Sequence, residues 1–259
     1  MPHAGLSHEM KRQVKRGVSW LEFPLFSSYP HLVQGVFLRH KGVSKGAFAS
    51  LNVGAGIGDN EEHVKENLEI IRALLGIERL VQGNQVHGTQ IVQVEKNSPS
   101  LVDECDGLIT EKRGLGLLIK HADCQAALFF DPKKEIIGAA HAGWRGNVKQ
   151  IYTKMVSSFA AMGSRPEDLL VAISPSLGPD HAEFKEYRKM LPKSFWPFQV
   201  AEGRFDLWAV AKKELLEAGV LEKNLQIASL CSFCHPKDFF SYRRNPLTGR
   251  NGTVIALKS

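Results

Sequence analysis

Apolar residues recur at helical spacing in three long stretches. After Gly58-Asp59-Asn60, the positions Val64, Leu68, Ile71 and Leu75 mark one helix face, with Asn60 as N-cap and Gly76 as the stop. A second helix is predicted after Gly146, turning Val148, Ile151, Tyr152, Met155, Val156 and Phe159 inward and ending at Gly163. A third begins near Asp206, buries Leu207, Val210, Ala211 and Leu215, and ends at Gly219, while a shorter fourth covers residues 184–191. Between them lie β-like runs at residues 31–38, 89–94, 115–120, 126–130, 136–140, 169–173, 225–229 and 253–257. Several are apolar throughout, as strands covered on both faces are. Runs of strands broken by a few helices predict an α+β fold, a single domain of mixed β-sheets covered by helices. No repeat, low-complexity tract or long linker divides the chain, and residues 96–100 and 163–166 are short enough to be ordinary loops. The expected organisation is an N-terminal extension over residues 1–25 and one catalytic domain over 26–259.

Composition narrows the class. With 259 residues and 43% hydrophobic content, the chain can bury a core without disulfides or metal. No stretch approaches the roughly 18 apolar residues of a membrane span. The basic residues Lys11, Arg12, Lys15 and Arg16 precede no apolar run, so no secretory signal is expected and a cytoplasmic location is. The 33 Lys and Arg exceed the 27 Asp and Glu by 6, but they are scattered among acids, which predicts a solvated surface rather than a nucleic-acid partner. Nothing points to an obligate protein partner. Cys105, Cys124, Cys231 and Cys234 are too few and too uneven for a disulfide framework, and in a reducing compartment they are free thiols or metal ligands.

Three segments carry candidate chemistry. The run from Ile136 to Ala140 delivers His141 at a strand end, and Ala142-Gly143-Trp144-Arg145-Gly146 then turns into a helix. Arg145 and the helix N-terminus offer an anion cradle there. A plain strand–turn–helix joint has the same appearance. Leu117-Leu118-Ile119-Lys120 runs into His121-Ala122-Asp123-Cys124, a thiol beside His and Asp that suits a nucleophile, a metal ligand or a small buried hydrophobe. Gly83-Asn84-Gln85-Val86-His87-Gly88 sets a third His beside a glycine. His87, Cys124 and His141 are 37 and 17 residues apart, so no spacing rule makes them a site. Brought together, they would hold zinc by three ligands and leave a fourth position open, the pattern of a catalytic zinc that lowers the pKa of bound water to about 7.

These motifs resemble the YfiH-like laccase-domain family, whose members are also called peptidoglycan editing factors or multicopper polyphenol oxidases. The likeness begins at Gly42-Val43-Ser44 and Ser50-Leu51-Asn52-Val53-Gly54 and continues through Gly58-Asp59-Asn60 and Cys105-Asp106-Gly107-Leu108-Ile109-Thr110. It ends at Phe239-Phe240-Ser241-Tyr242-Arg243-Arg244 and Thr248-Gly249-Arg250. The resemblance implies a zinc-dependent purine nucleoside phosphorylase with adenosine deaminase activity, its metal ligands carried over to His87, Cys124 and His141. It also implies a CNF/YfiH-like fold, akin to some bacterial toxin cysteine hydrolases. Copper is the alternative metal, but Cu(II) favours N,O ligands and a multicopper cluster needs more histidines than these motifs supply. The chain departs from the family pattern at His121, where Thr is usual, so that His121 competes as a ligand. It departs again at Ala126 and in the loop from Ser174 to Ala182.

Phosphorolysis needs a cradle for phosphate and an acid for the departing purine. Arg145 and Arg243 are the basic candidates, Asp123 is a proton shuttle or a support for its neighbouring ligand, and Asn52 and Asp106 are candidate ribose partners or turn residues. A rival reading drops the metal: Cys124 as nucleophile with His141 as base gives a cysteine hydrolase or amidase. Another makes the chain a peptidoglycan-editing accessory. Elsewhere, His181-Ala182-Glu183 with Cys231-Ser232-Phe233-Cys234 imitates the zinc nucleoside-deaminase signature. Leu230 replaces its Pro, and the two halves are far apart. Cys231-Ser232-Phe233-Cys234-His235 also spells a haem-attachment motif, which needs an exported chain. A structural or redox-sensitive Cys pair is the expectation for these two thiols.

Overall fold

Two mixed β-sheets lie face to face, and their shared edge loops build the site. The computed structural model describes residues 10–259. Numbering strands in chain order, the first sheet runs β1 (Lys11–Lys15), β2 (Val18–Glu22), β3 (Leu32–Phe37), β15 (Asn251–Leu257), β8 (Leu115–His121), β4 (Arg79–Gly83) and β6 (Leu101–Val102). The second runs β14 (Leu225–Ile227), β11 (Leu170–Ile173), β9 (Gln125–Asp131), β10 (Ile136–Ala142), β7 (Gly107–Thr110) and β5 (Ile91–Gln93). A two-stranded ribbon, β12 (Gln199–Ala201) with β13 (Arg204–Phe205), stands apart. Both large sheets mix parallel and antiparallel pairs: β8 is antiparallel to β15 but parallel to β4, and β7 is antiparallel to β10 but parallel to β5.

The period-2 alternation of each strand explains why the central runs are apolar throughout. In β8, Leu117 and Ile119 face the core between the sheets while Leu118 faces outward under α1 (Glu61–Leu75). In β9, Ala126, Leu128 and Phe130 enter the same inter-sheet core, and Ala127 and Phe129 pack outward on α3 (Ile151–Ala161). Phe129 and Phe130 are fully buried, each burial contributing about 2–3 kcal/mol. The layers are therefore α1, sheet, sheet, then α3 with α5 (Leu207–Glu217). A satellite core around Leu177, Phe184, Tyr187, Phe205 and Val210 folds the segment that contains the one-turn helix α4 (Tyr187–Met190).

The capping expectations for α1 hold, Asn60 accepting from the Glu62 amide and Gly76 closing the helix in a left-handed conformation; Asp206, where the third helix was expected to begin, caps α5. The predicted single helix after Gly146 is two, α2 (Trp144–Val148) and α3, broken where Gln150 takes φ +59°. The boundary drawn at residue 25 cuts through the first sheet, because β1 and β2 pair into it through β3. Residues 11–22 are thus integral to the sheet, and residues 1–9 of the expected extension lie outside the described residues. No helix among the described residues is long and apolar enough to cross a membrane.

Because Gln150 offers no side-chain cap, the first amides of α3 need another acceptor. Glu214 of α5 supplies it, Oε1 accepting from the Thr153 amide at 2.9 Å, while its Oε2 is buried without a partner. Burial raises this carboxyl from 4.5 to about 7, outweighing the backbone bonds from Thr153 and Tyr152 that lower it. A raised carboxyl pKa means the folded chain holds the proton more tightly, so stability is greatest below about 4.5 and declines as pH climbs to about 7. Glu214→Gln keeps the acceptor and removes the charge. Its thermal midpoint is expected to exceed the parent's at pH 8, by about 3 kcal/mol of stability, and to match it near pH 4.5. Equal midpoints at pH 8 would refute the assignment.

Candidate metal centre and substrate cavity

The strand order brings the three expected ligands together. In the first sheet, β4 and β8 are parallel neighbours, so the chain leaves both at the same end, into the His87 loop and the Asp123-Cys124 turn. That turn crosses to the second sheet, where the start of β9 is paired with the end of β10 and Ala126 lies opposite His141. Gln85 ties the His87 loop to β8, donating to the Lys120 carbonyl at 2.7 Å and accepting from its amide at 2.9 Å. As a result the donor atoms of His87, Cys124 and His141 lie within 4.8 Å of one another. The two imidazole centroids are 4.8 Å apart at 71°.

Asp106 organises this centre. Its carboxylate accepts from the amides of Val86, His87 and Gly88 at 3.1, 3.1 and 2.7 Å and from His141 Nδ1 at 2.8 Å. Burial raises its pKa, but these bonds outweigh it and hold the carboxyl below its usual range. In the neutral ring the Asp106 bond keeps the proton on His141 Nδ1, leaving Nε2 free toward Cys124. Burial pushes His141 down, yet the Cys124 sulfur and the Asp106 carboxylate carry it up to about 9, so the surroundings favour positive charge at this point. His87 is pushed the other way, by burial and by His141, toward the neutral form that ligates. Its backbone sits at φ +56° and that of Asp123 at φ +87°, left-handed conformations that the surrounding bonds must maintain.

Two observations fit a metal here. His87 Nδ1 is buried with no hydrogen-bond partner. At Gly143 a Cβ would stand 2.6 Å from that nitrogen and 3.1 Å from Cys124 Sγ, so only glycine leaves the space between them. Two imidazoles and one sulfur match the donors of a tetrahedral ion, whose ligand atoms lie about 3.3–3.6 Å apart.

The centre opens on a cavity of about 760 Å³, within the range of small-molecule sites. Arg145 lines it, its guanidinium 4.4 Å above the Trp144 ring, but α2 has only five residues and adds little helix-dipole support to the expected cradle. Arg250 and Lys120 also line the cavity, and burial lowers both pKa values. Sequence reasoning missed these two; Thr248-Gly249-Arg250 and the last residue of a strand run were their only traces.

Four further candidate residues are engaged by the protein itself. Asn52 is fully buried and holds the Gly54 and Arg250 amides and Asp59, so it shapes a turn rather than binding ribose. Asp106 positions the ligands rather than a ribose. Asp123 spends both carboxylate oxygens, one on the Ser232 hydroxyl at 2.7 Å and one on the Arg243 amide at 2.6 Å, so it braces the Cys124 turn rather than shuttling protons. His121 lies outside the donor cluster of His87, Cys124 and His141; its Nε2 bonds Thr253 Oγ1 at 2.7 Å, and burial, reinforced by His141, drives its pKa down to about 3. Arg243 lines the cavity, but its guanidinium is engaged by the carbonyls of His181 and Glu183.

Residues 33–258 match the family described as multi-copper polyphenol oxidoreductase laccase. The chain is 34% identical over 244 residues to the purine nucleoside phosphorylase YlmD of Geobacillus stearothermophilus, covering 86% of this chain and 88% of that one. It is 37% identical over 228 residues to a purine nucleoside phosphorylase of Deinococcus radiodurans, covering 85% and 87%. The crystal structure of YlmD from Geobacillus stearothermophilus superposes with a TM-score of 0.86 at 32% identity, over 95% of this chain and 98% of that one. That of Bacillus licheniformis YfiH reaches the same score at 27% identity, over 95% and 99%. By a match that spans nearly the whole sequence and a fold shared across it, the chain belongs to the multi-copper polyphenol oxidoreductase laccase family, the YfiH-like laccase-domain proteins.

Proposed function

We propose that this protein is a zinc-dependent purine nucleoside phosphorylase that also deaminates adenosine at the same centre. The observation that carries the reading is the His87–Cys124–His141 cluster, with its unpartnered His87 nitrogen, opening on a cavity edged by Arg145, Arg250 and Lys120. The similarity to proteins named purine nucleoside phosphorylase supports it. In phosphorolysis an oxygen of phosphate bonds to ribose C1′ as the C–N bond breaks, and the bond's electron pair leaves with the purine. Arg145, Arg250 and Lys120 hold the phosphate dianion against that carbon. Tyr242 and Phe184 offer aromatic faces to the purine in the same cavity. His87, Cys124 and His141 would hold the zinc, which would supply a Lewis acid to polarise the purine and acidify water. Zinc is preferred to copper because the donors form one mononuclear set with a thiolate.

A second reading has its own observation. His141 lies between Cys124 and Asp106, the order of contacts in a cysteine hydrolase. Chelation separates the two, abolishing a zinc reaction and sparing a thiol one.

Product chromatography of adenosine incubated with zinc-replete protein, with and without phosphate, tests the proposal. Phosphate-dependent adenine is expected, with phosphate-independent inosine from the deamination. The absence of both products would refute the reading. Arg145→Ala is expected to raise the KM for phosphate about 10–100-fold, the worth of one charge-assisted hydrogen bond, and to leave the nucleoside KM near the parent's. Equal changes in both would remove Arg145 from the cradle.

A further inference from the structure

We propose that the protein holds a second metal ion, zinc by the chemistry of its donors, between His181, Cys231 and Cys234. The three donor atoms lie within 4.8 Å of one another, although the His and the Cys pair are about 50 residues apart in sequence. The expectation of an isolated Cys pair is therefore revised, because folding adds an imidazole to the two sulfurs. Cys231 and Cys234 present their thiols from one turn at the spacing that closes around a single ion.

Several independent contacts fix the imidazole opposite them. Ser176 bridges Cys231 as a short parallel pair, its amide donating to the Leu230 carbonyl at 3.1 Å and its carbonyl accepting from Ser232 at 2.9 Å. The Gly178 amide donates to Cys231 Sγ at 3.3 Å, the kind of outer bond that supports a ligating thiolate. A Cβ at Gly178 would come 3.0 Å from Cys231 Cβ, so glycine permits this approach. The His181 ring stacks on Phe233, centroids 3.9 Å apart, and Arg243 holds the His181 carbonyl at 2.7 Å. Two sulfurs and one imidazole select zinc over the harder cations. Two thiolates neutralise the dication, and a water would complete four ligands.

This ion is a clamp rather than a second reaction centre. None of its three donors lines the substrate cavity, whereas Ser176, Leu177, Glu183 and Phe184 of the loop it would hold all do. The nucleoside-deaminase order of His-x-Glu and Cys-x-x-Cys is reproduced, but Glu183 lines the other cavity and its carbonyl is held by Arg243. The clamp joins that cavity wall to the turn whose Ser232 braces Asp123, next to the first metal centre.

Metal content and free thiols of protein purified under reducing conditions test the proposal. Two zinc ions per chain are expected, halved to one in Cys234→Ser and in His181→Ala, and also to one in Cys124→Ser. Cys234 is exposed, so its substitution leaves the core intact. Cobalt titration of the metal-stripped parent needs no variant: a second equivalent is expected to add sulfur-to-cobalt charge-transfer absorption. One zinc in both parent and Cys234→Ser, no cobalt absorption beyond one equivalent, or a Cys231–Cys234 disulfide in the reduced protein would each overturn it.

Discussion

Cys124→Ser is expected to lose the metal at the His87–His141 centre and to reduce phosphate-dependent release of purine by more than about 100-fold. Replacing only an outer partner of a metal ligand already costs about 10–100-fold, and here a ligand itself is removed. The fold should persist, because Cys124 is half-buried in a turn and belongs to none of the apolar clusters. Zinc content, circular dichroism and initial rate, measured on one preparation, check this outcome. Loss of activity with metal content unchanged would instead favour the thiol as nucleophile.

Asp106→Asn is expected to weaken metal affinity about 100-fold, the upper end for a partner of a ligand, and to cost about 3 kcal/mol of stability. The reason is the number of bonds that meet at one carboxylate. Three consecutive amides and the His141 ring all donate to it, whereas an amide side chain has one accepting oxygen and turns an N–H₂ toward donors. Without that acceptor, the loop loses what holds His87 at φ +56°, and His141 loses the bond that fixes its tautomer. Competition with a zinc chelator and thermal unfolding read the two effects separately. Parent-like zinc affinity would show that the ligands are positioned by something else.

The eight strand runs read from the sequence each contain an observed strand, because strands covered on both faces leave unbroken apolar runs. Shorter or edge strands such as β1, β4 and β7 escaped, since Lys11–Lys15 is mostly polar and the others are only four or five residues long. The break between α2 and α3 was hidden, as apolar spacing runs on through Gln150 while the backbone does not.

The site was legible only through family resemblance. His87, Cys124 and His141 meet because three strands end at one edge of two sheets, and sequence spacing carries no trace of that. Polar residues beside turns were the least readable. Asn52 and Asp106 look alike as ribose partners in a linear string, yet both point into backbone amides and neither lines the cavity. Conversely, separation in sequence weighed against joining His181 to Cys231 and Cys234, and separation is no measure of distance once a loop folds back.

The most direct measurement is the release of free purine and ribose 1-phosphate from inosine by metal-stripped protein, before and after zinc is restored, with phosphate present. The account predicts no turnover by the stripped protein, recovery on adding zinc, and none at any zinc concentration in Cys124→Ser. Full turnover by the stripped protein, or recovery in Cys124→Ser, would contradict it.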